Sequence, residues 1–401
     1  MTPVAPGAAG TAPAAAAPMD LRGLSAAIAA ISVSGFAISM AYPLFAVLLE
    51  GMGASGWQIG VNAAAPALAM LVFAPLLPAL LRRVSLPMVL CGAAVLMAAA
   101  FLLFKPFEGI WTWTLLRFFM GAAGVAAFWG SELWIVSVSP PARRGLMIGI
   151  YGLFLSLGFV AGPVLLQFID ITGWAPFLIG AGLSLAAILP VAWAWARAPR
   201  NLGGPRQPIS GALRFFRTDP SVMFGVVLFG AMEFGAFALL PAWALGAGLG
   251  QSAAIATVAW IAFGNVLLQL PLGWAADRWN RKAMLAAAAA ACVAGPGLMA
   301  LTVDLPWALA AVMTALGGLA VALYTVGLAE LGARYQGEEL ARGTGAFMFG
   351  YGLGAFAAPP FLGLAMDLAP PHGLLGGMAA LACAYLALMA LRAGRRRVGS
   401  A

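Results

Sequence analysis

Leu270-Pro-Leu-Gly-Trp-Ala-Ala-Asp-Arg-Trp-Asn-Arg-Lys282 lies between two long apolar runs. Asp277, Arg278, Arg281 and Lys282 fall within six positions of a chain in which only 8% of residues are charged. A charge at the centre of a bilayer costs on the order of 2.5–3.5 kcal/mol or more. So dense a cluster between two hydrophobic spans must sit in water at a membrane face. The loop therefore fixes a location and a direction for its neighbours.

Composition supports this reading. Of 401 residues, 63% are hydrophobic, more than a soluble domain could cover with so little charge. The net charge of +8 does not indicate nucleic acid, because the arginines fall in short clusters between apolar runs, which is a topology signal. Cys91, Cys292 and Cys383 lie inside apolar runs without paired spacing, which argues against a disulfide framework or a metal site. The lone histidine, His372, follows two prolines and has no neighbouring ligand type. No nucleotide loop, metal cluster or nucleophile constellation occurs, so no cofactor and no enzymatic activity is expected.

A bilayer core takes about 20 apolar residues per helix. By that ruler the sequence predicts twelve spans, near 23–49, 58–81, 86–104, 111–138, 146–168, 175–196, 221–245, 253–276, 283–302, 306–331, 344–366 and 374–393. The expected organisation is a disordered Ala/Pro/Gly tail over 1–20 and a six-helix bundle over 21–196. A cytoplasmic linker over 197–220 then carries a short surface helix, followed by a second six-helix bundle over 221–393 and a basic tail over 394–401. With the N-terminus in the cytoplasm, every basic cluster falls on the cytoplasmic side. Only Lys105 then faces outward and only Arg117 lies inside a span. That asymmetry places both termini in the cytoplasm, with a bacterial inner membrane as the expected location.

A shift of 196 residues overlays the halves. Pro75 falls on Pro271, Arg82 on Arg278, Gly121 on Gly317 and Phe128 on Tyr324. Gly149, Gly158 and Pro163 fall on Gly345, Gly354 and Pro359. A two-residue slip puts Glu132 and Arg144 on Glu330 and Arg342. Two six-helix repeats imply a pseudo-two-fold axis along the membrane normal and a central site between the bundles. The fold class is therefore all-α integral membrane, with twelve transmembrane helices in two pseudo-symmetric bundles.

These residues resemble the major facilitator superfamily over nearly all of 20–393. Gly273-Trp-Ala-Ala-Asp277-Arg278-Trp-Asn-Arg281-Lys282 is similar to the family's loop motif between helices eight and nine. The first-half copy has Leu81 at the aspartate position and keeps Arg82 and Arg83. Arg117-Phe-Phe-Met-Gly121 resembles the helix-four motif. Gly149-x8-Gly158-x3-Gly162-Pro163 resembles the helix-five signature of antiporters, without its trailing glycines. Within the superfamily the pattern looks most like the YcaD-like branch. The resemblance implies a secondary transporter that moves a small solute by alternating access, functions as a single copy in the lipid bilayer and leans to export or antiport. A gradient-independent facilitator and a non-transporting sensor on the same fold are the alternatives.

Glu233 is the sharpest candidate for chemistry. It falls near the midplane of span seven, where a carboxylate needs a proton, a partner or a wet cavity. Proton coupling is one role for it, and an inter-helix hydrogen bond is the other. Pro241, two turns later, is expected to break that helix. Arg117, about 9 Å below the interfacial Trp111, is too deep to snorkel. It could bind an anionic solute, modulate a proton site or bond neighbouring helices, and the resemblance favours the second.

The resemblance also ranks Tyr42 and Tyr324 above Asn62, Tyr151, Asn265, Gln269 and Tyr351, because helices one, four, seven and ten line the family's cavity. Glu132 and Glu330 lie near the cytoplasmic ends of spans four and ten. Glu330 is expected to meet Arg278, Arg281 or Arg342, and Glu132 to meet Arg82, Arg83 or Arg144. Together with Asp277 these would form a cytoplasmic gate.

Overall fold

A computed structural model describes residues 20–140, 144–199 and 210–398. The tail expected over 1–20, apart from Asp20, most of the linker before Ser210 and the side chains of the basic C-terminal tail lie outside the described residues. Twelve helices are long and apolar enough to cross a membrane, and no strand occurs among the described residues. They are α1 (Leu21–Gly51), α2 (Gly56–Leu80), α3 (Leu86–Phe104), α4 (Ile110–Val138), α5 (Arg144–Leu166), α6 (Ala175–Trp193), α7 (Pro220–Gly246), α8 (Gln251–Ala276), α9 (Arg281–Thr302), α10 (Pro306–Arg334), α11 (Gly337–Leu368) and α12 (Gly373–Val398).

The largest departure from the expected boundaries is at α11, which starts seven residues before position 344. Hydropathy stops at the first charges, Glu338, Glu339 and Arg342. Backbone hydrogen bonding does not, so the helix continues as an exposed amphipathic turn beyond the apolar zone. The expected break at Pro241 is absent, since α7 runs unbroken from Pro220 to Gly246 with Pro241 inside it. A proline removes one backbone donor, and membrane helices absorb that loss with local adjustment. The helix breaks lie elsewhere, in the 3-10 turn Ala74–Leu76 of α2, at Ala187 of α6 and at Val321 of α10.

The repeat is visible in the packing. A Cβ on Gly121 of α4 would come within 2.4 Å of the Pro66 Cα on α2, and one on Gly317 of α10 within 2.2 Å of the Ile261 carbonyl on α8. The same holds for Gly158 of α5 against the Ser32 carbonyl of α1, at 2.8 Å, and Gly354 of α11 against the Val227 carbonyl of α7, at 2.0 Å. Matched glycines thus allow matched backbone approaches in each half.

With twelve spans, Leu21 and Val398 lie on one face of the molecule, here termed the terminal face. The halves are pinned at the opposite face. Asp367, at the far end of α11, accepts hydrogen bonds from the backbone N–H groups of Gly56 (2.6 Å) and Trp57 (2.8 Å) at the start of α2. Ser252, at the start of α8, donates to Gln167 beyond α5 at 3.2 Å. A Cβ on Gly363 would meet the Gly56 carbonyl at 2.0 Å, so α2 and α11 touch backbone to backbone there. The Asp367 carboxylate satisfies orphan donors at a helix N-terminus, where the helix dipole favours negative charge. No hydrogen bond or ion pair among the described residues joins the two halves at the terminal face.

The charges expected to form a gate at that terminal face are instead gathered within the second half. Arg281 reaches Glu330 at 3.6 Å, and Glu330 pairs with Arg334 at 2.5 Å. Arg334 and the Tyr335 hydroxyl both bond Asp219, the residue just before α7, whose side chain is only 2% exposed and does not cap that helix. Burial alone would raise the Asp219 carboxyl, but the bonds from Tyr335, Thr218 and Arg334 outweigh it and hold the carboxyl below its usual range. The linker helix Ser210–Thr218 buries Phe215 against Tyr335, with ring centroids 5.3 Å apart, and Arg214 reaches Glu339 at 3.4 Å.

Of the three partners expected for Glu330, Arg281 is the one found, and the other loop charges are disposed differently. Arg342 pairs with Glu338 one turn away at 2.6 Å, since an i,i+4 partner is always within reach on the same helix. Arg278 stacks on Trp274, 4.2 Å above the ring, and does not reach Glu330. Asp277 is 74% exposed and lies 3.9 Å from Arg281, so it is a weak solvated partner. Glu132 makes no ion pair among the described residues, and Arg82 and Arg83 are exposed at the loop. Six residues, about 9 Å of helix, separate Glu132 from the end of α4, which is too far for that pairing. The Arg144 side chain lies outside the described residues.

Two outcomes follow from the face-to-face difference. Asp367→Ala removes two charge-assisted bonds, about 1.5–3 kcal/mol each at most. Spin labels on Met52→Cys and Leu368→Cys, both at the opposite face, should then show a longer and broader distance distribution; an unchanged distribution would remove Asp367 from the seal. Asp219→Asn should lower thermal stability at neutral pH. Because the folded carboxyl is held low, wild type keeps this contribution above the unfolded value near pH 4 and loses it as pH falls through the lower folded value. The wild-type and Asp219→Asn melting curves should therefore converge at acid pH.

Candidate functional site in the centre of the bundle

Glu233 is the fourteenth of 27 residues in α7, which places it at mid-membrane. The helix carries it there because apolar residues on both sides fill a full span and leave the carboxylate no route to either surface. Its two oxygens each receive one hydrogen bond, from Asn265 Nδ2 of α8 at 3.0 Å and from the Tyr351 hydroxyl of α11 at 2.6 Å. No cation lies within ion-pair distance of it among the described residues. Asn265 Oδ1 is buried without a partner.

Aromatic rings enclose this carboxylate. Phe234, the next residue, packs edge-on against Tyr351 at 5.8 Å and against Tyr42 of α1 at 5.8 Å. Tyr42 also meets Phe237 at 5.6 Å, so one ring from the first half touches two from the second. Phe229 stacks on Tyr351 at 5.8 Å, and Tyr324 of α10 meets Tyr351 at 6.0 Å and Phe229 at 5.6 Å. Tyr42 is buried, while Glu233, Phe234, Asn265, Tyr324 and Tyr351 keep part of their surface accessible. The accessible wall between the halves is thus aromatic, with one carboxylate in it.

Arg117 lies behind this wall. It is 3% exposed and donates from Nη1 to Asn62 Oδ1 at 2.9 Å, and the Asn62 amide in turn donates to Thr114 at 3.2 Å. Its guanidinium carbon lies 5.4 Å from the Tyr42 ring centroid and 5.2 Å from that of Phe45. Two ring faces and an amide replace part of the water a deep arginine would otherwise require, and its Nε is buried without a partner. Tyr42 thus touches Arg117 on one side and Phe234, the neighbour of Glu233, on another.

Glu132 belongs to this region and not to the loop cluster. It is accessible on α4, one turn beyond Phe128, and its carboxylate is within electrostatic range of the Tyr151 and Tyr324 hydroxyls. Tyr324 is also within electrostatic range of Glu233. Tyr324 bonds only the Met348 sulfur, at 3.8 Å. Of the residues named for a gate, Glu330 and Arg281 are brought together at the terminal face, with Asp277 at the edge of the pair; Arg278 and Arg342 find partners on their own helices, and Glu132 and Arg82 do not pair with each other.

Three contributors were missed from sequence. Asp219 had a signal, an Asp-Pro pair opening a span, where proline starts a helix. Asp367 had no local signal, because its partner at the start of α2 lies 310 residues away. Arg334 was counted only as a basic topology residue.

The profile of the Major Facilitator Superfamily matches residues 27–264 and 223–400. The chain is 28% identical over 262 residues to the uncharacterized MFS-type transporter YfkF of Bacillus subtilis (strain 168), spanning 64% of this chain and 66% of that one. It is 23% identical over 341 residues to an uncharacterized MFS-type transporter of Enterobacter sp. (strain 638), spanning 84% and 87%. In fold it is similar to the nucleoside transporter NupG, with a TM-score of 0.73 at 15% identity over 92% of this chain and 98% of that one. It is also similar to a bacterial homologue of the human lysosomal transporter Spinster in an inward-facing, unoccupied conformation, with a TM-score of 0.67 at 15% identity, covering 92% and 96%. The profile match across both halves, on a bundle of twelve apolar helices with its polar groups turned to the centre, makes this chain a member of the Major Facilitator Superfamily, a membrane transport protein and not an enzyme.

Proposed function

We propose that the protein is a secondary active transporter that carries a small solute by alternating access and couples it to protons through Glu233, with antiport as the coupling mode and export as its direction. The observation that carries this is the setting of Glu233: a mid-membrane carboxylate with a hydroxyl and an amide donor but no cation, in an accessible wall. Such a group moves between charged and neutral forms by exchanging a proton, and its hydrogen-bond partners accommodate either form. Arg117, one ring away behind Tyr42, biases that exchange without pairing with the carboxylate.

The positive loops support a reading with both termini in the cytoplasm of a bacterial cell, which makes the terminal face the inside. The structure then corresponds to a state sealed outside by Asp367 and unlatched inside. Both halves of the solute pathway come from a single chain, so a monomer suffices. The reading takes residues 21–196 and 221–393 as the two rocking bundles. Tight glycine contacts between α1 and α5, and between α7 and α11, keep each bundle rigid as it moves. Arg281, Glu330, Arg334 and Asp219 brace the inner end of the second bundle, and a latch to the first half forms only when that end closes.

Proteoliposomes test the coupling. A solute that raises the melting temperature of the purified protein should accumulate against its gradient when a proton gradient is imposed. Glu233→Gln should abolish that gradient-driven component at least tenfold, while exchange at saturating solute persists. Undiminished driven transport in Glu233→Gln would remove Glu233 as the coupling group. For the inner brace, Glu330→Gln should raise the labelling rate of a cysteine placed at Leu328 from the cytoplasmic side; an unaltered rate would leave the cluster without a gating role.

A further inference from the structure

We infer that the central wall binds an organic cation with an apolar or aromatic body, its positive centre held at Glu233, with the accessible Glu132 adding negative charge. The inference rests on the transporter reading, and it adds the sign and shape of the solute.

The sign follows from which charges a solute can touch. Glu233 is partly accessible and Glu132 is exposed, and the rings beside Glu233 come from both halves. Arg117 is 3% exposed, is engaged by Asn62, and is covered by the Tyr42 ring. At mid-membrane the reachable charge is therefore negative. The nearest unsatisfied polar atom, Asn265 Oδ1, is an acceptor. A partly accessible carboxylate with neutral donors and no paired cation forms a site for a positive group.

The shape follows from the rings. Tyr42, Phe229, Phe234, Tyr324 and Tyr351 form one connected set around Glu233, with neighbouring centroids 5.6 to 6.0 Å apart. Ring faces attract cations and pack against flat apolar groups. A small hydrophilic cation would gain little from this wall, whereas a bulky organic cation gains both attractions. Removing it from water is then offset over its whole surface.

Tetraphenylphosphonium and tetraphenylborate isolate the sign of charge, because they have the same size and shape and opposite charge. Equilibrium binding of each to the full-length purified protein, without any ion gradient, is the measurement. Saturable binding of tetraphenylphosphonium is expected, with no saturable binding of tetraphenylborate. Glu233→Gln should weaken the cation at least tenfold, Glu132→Gln severalfold and Tyr324→Leu severalfold. Arg83→Gln, at the exposed loop of the terminal face, should bind within about threefold of wild type and serves as the folded control. Preference for the borate, no saturable binding of the phosphonium, or equal affinity in wild type and Glu233→Gln would each overturn the inference. These outcomes are separable from failure of the transporter reading. Proton-driven flux of another solute without phosphonium binding sinks only the cation class. Phosphonium binding that follows the predicted pattern, with no flux of any solute, sustains the site and sinks transport.

Discussion

A charged side chain in a bilayer must find water, a partner or a proton, and the polar architecture of this protein follows from that requirement. Most of the charge is placed in water, in loops at the terminal face. Two deep exceptions remain in the central layer, and they are resolved differently. Arg117 is wrapped by an amide and two rings and withdrawn from the accessible surface. Glu233 is left in the wall, with neutral donors on both oxygens. A wrapped charge is a fixture of the structure. A charge with neutral donors and access to the interior can still gain a proton or a cation, and so it is the one suited to chemistry.

The faces of the molecule differ for the same reason. At the face away from the termini, Asp367 sits on the free N–H groups of α2, and glycine backbones meet with nothing between them. A carboxylate on a helix N-terminus satisfies donors that would otherwise be lost to the membrane interface. At the terminal face the charges turn inward on their own half, in a chain from Arg281 through Glu330 and Arg334 to Asp219. This chain rigidifies the end of the second bundle without touching the first. The first-half loop has Leu81 where the second has Asp277, yet the exposed Asp277 is not the centre of the network either. Weight passes to Glu330, which has a partner on each side.

Repetition shapes the rest. Gly121 and Gly317 approach corresponding helices, as do Gly158 and Gly354, so each half was built to the same close-packed plan. The departures from symmetry fall where the polar groups are. Glu233 and Asn265 belong to the second half and face ring and guanidinium groups in the first. Phe128 and Tyr324 occupy equivalent positions, and only the tyrosine offers a hydroxyl within electrostatic range of two carboxylates. The two bundles thus share a scaffold and divide the polar work unequally.

The twelve spans, their boundaries to within a few residues and the internal repeat were legible in the sequence, because burying an apolar run of fixed length in a bilayer is a local requirement. The importance of Glu233 was legible for the same reason: an isolated carboxylate in an apolar run violates that requirement by itself. Its partners were not, since Asn265 and Tyr351 arrive from helices 32 and 118 residues away. Glu132 shows the limit most clearly. Its distance along the chain from loop arginines suggested ion pairing, whereas its angular position on α4 turns it toward Tyr151 and Tyr324. Pro241 shows another: a proline reads as a break in sequence, but packing held α7 straight through it. The sequence alone determined which segments cross the membrane and which charges had to be accounted for. Only the tertiary structure decided how each charge was satisfied, because desolvation is a property of a residue and its relief is a property of neighbours brought together by folding.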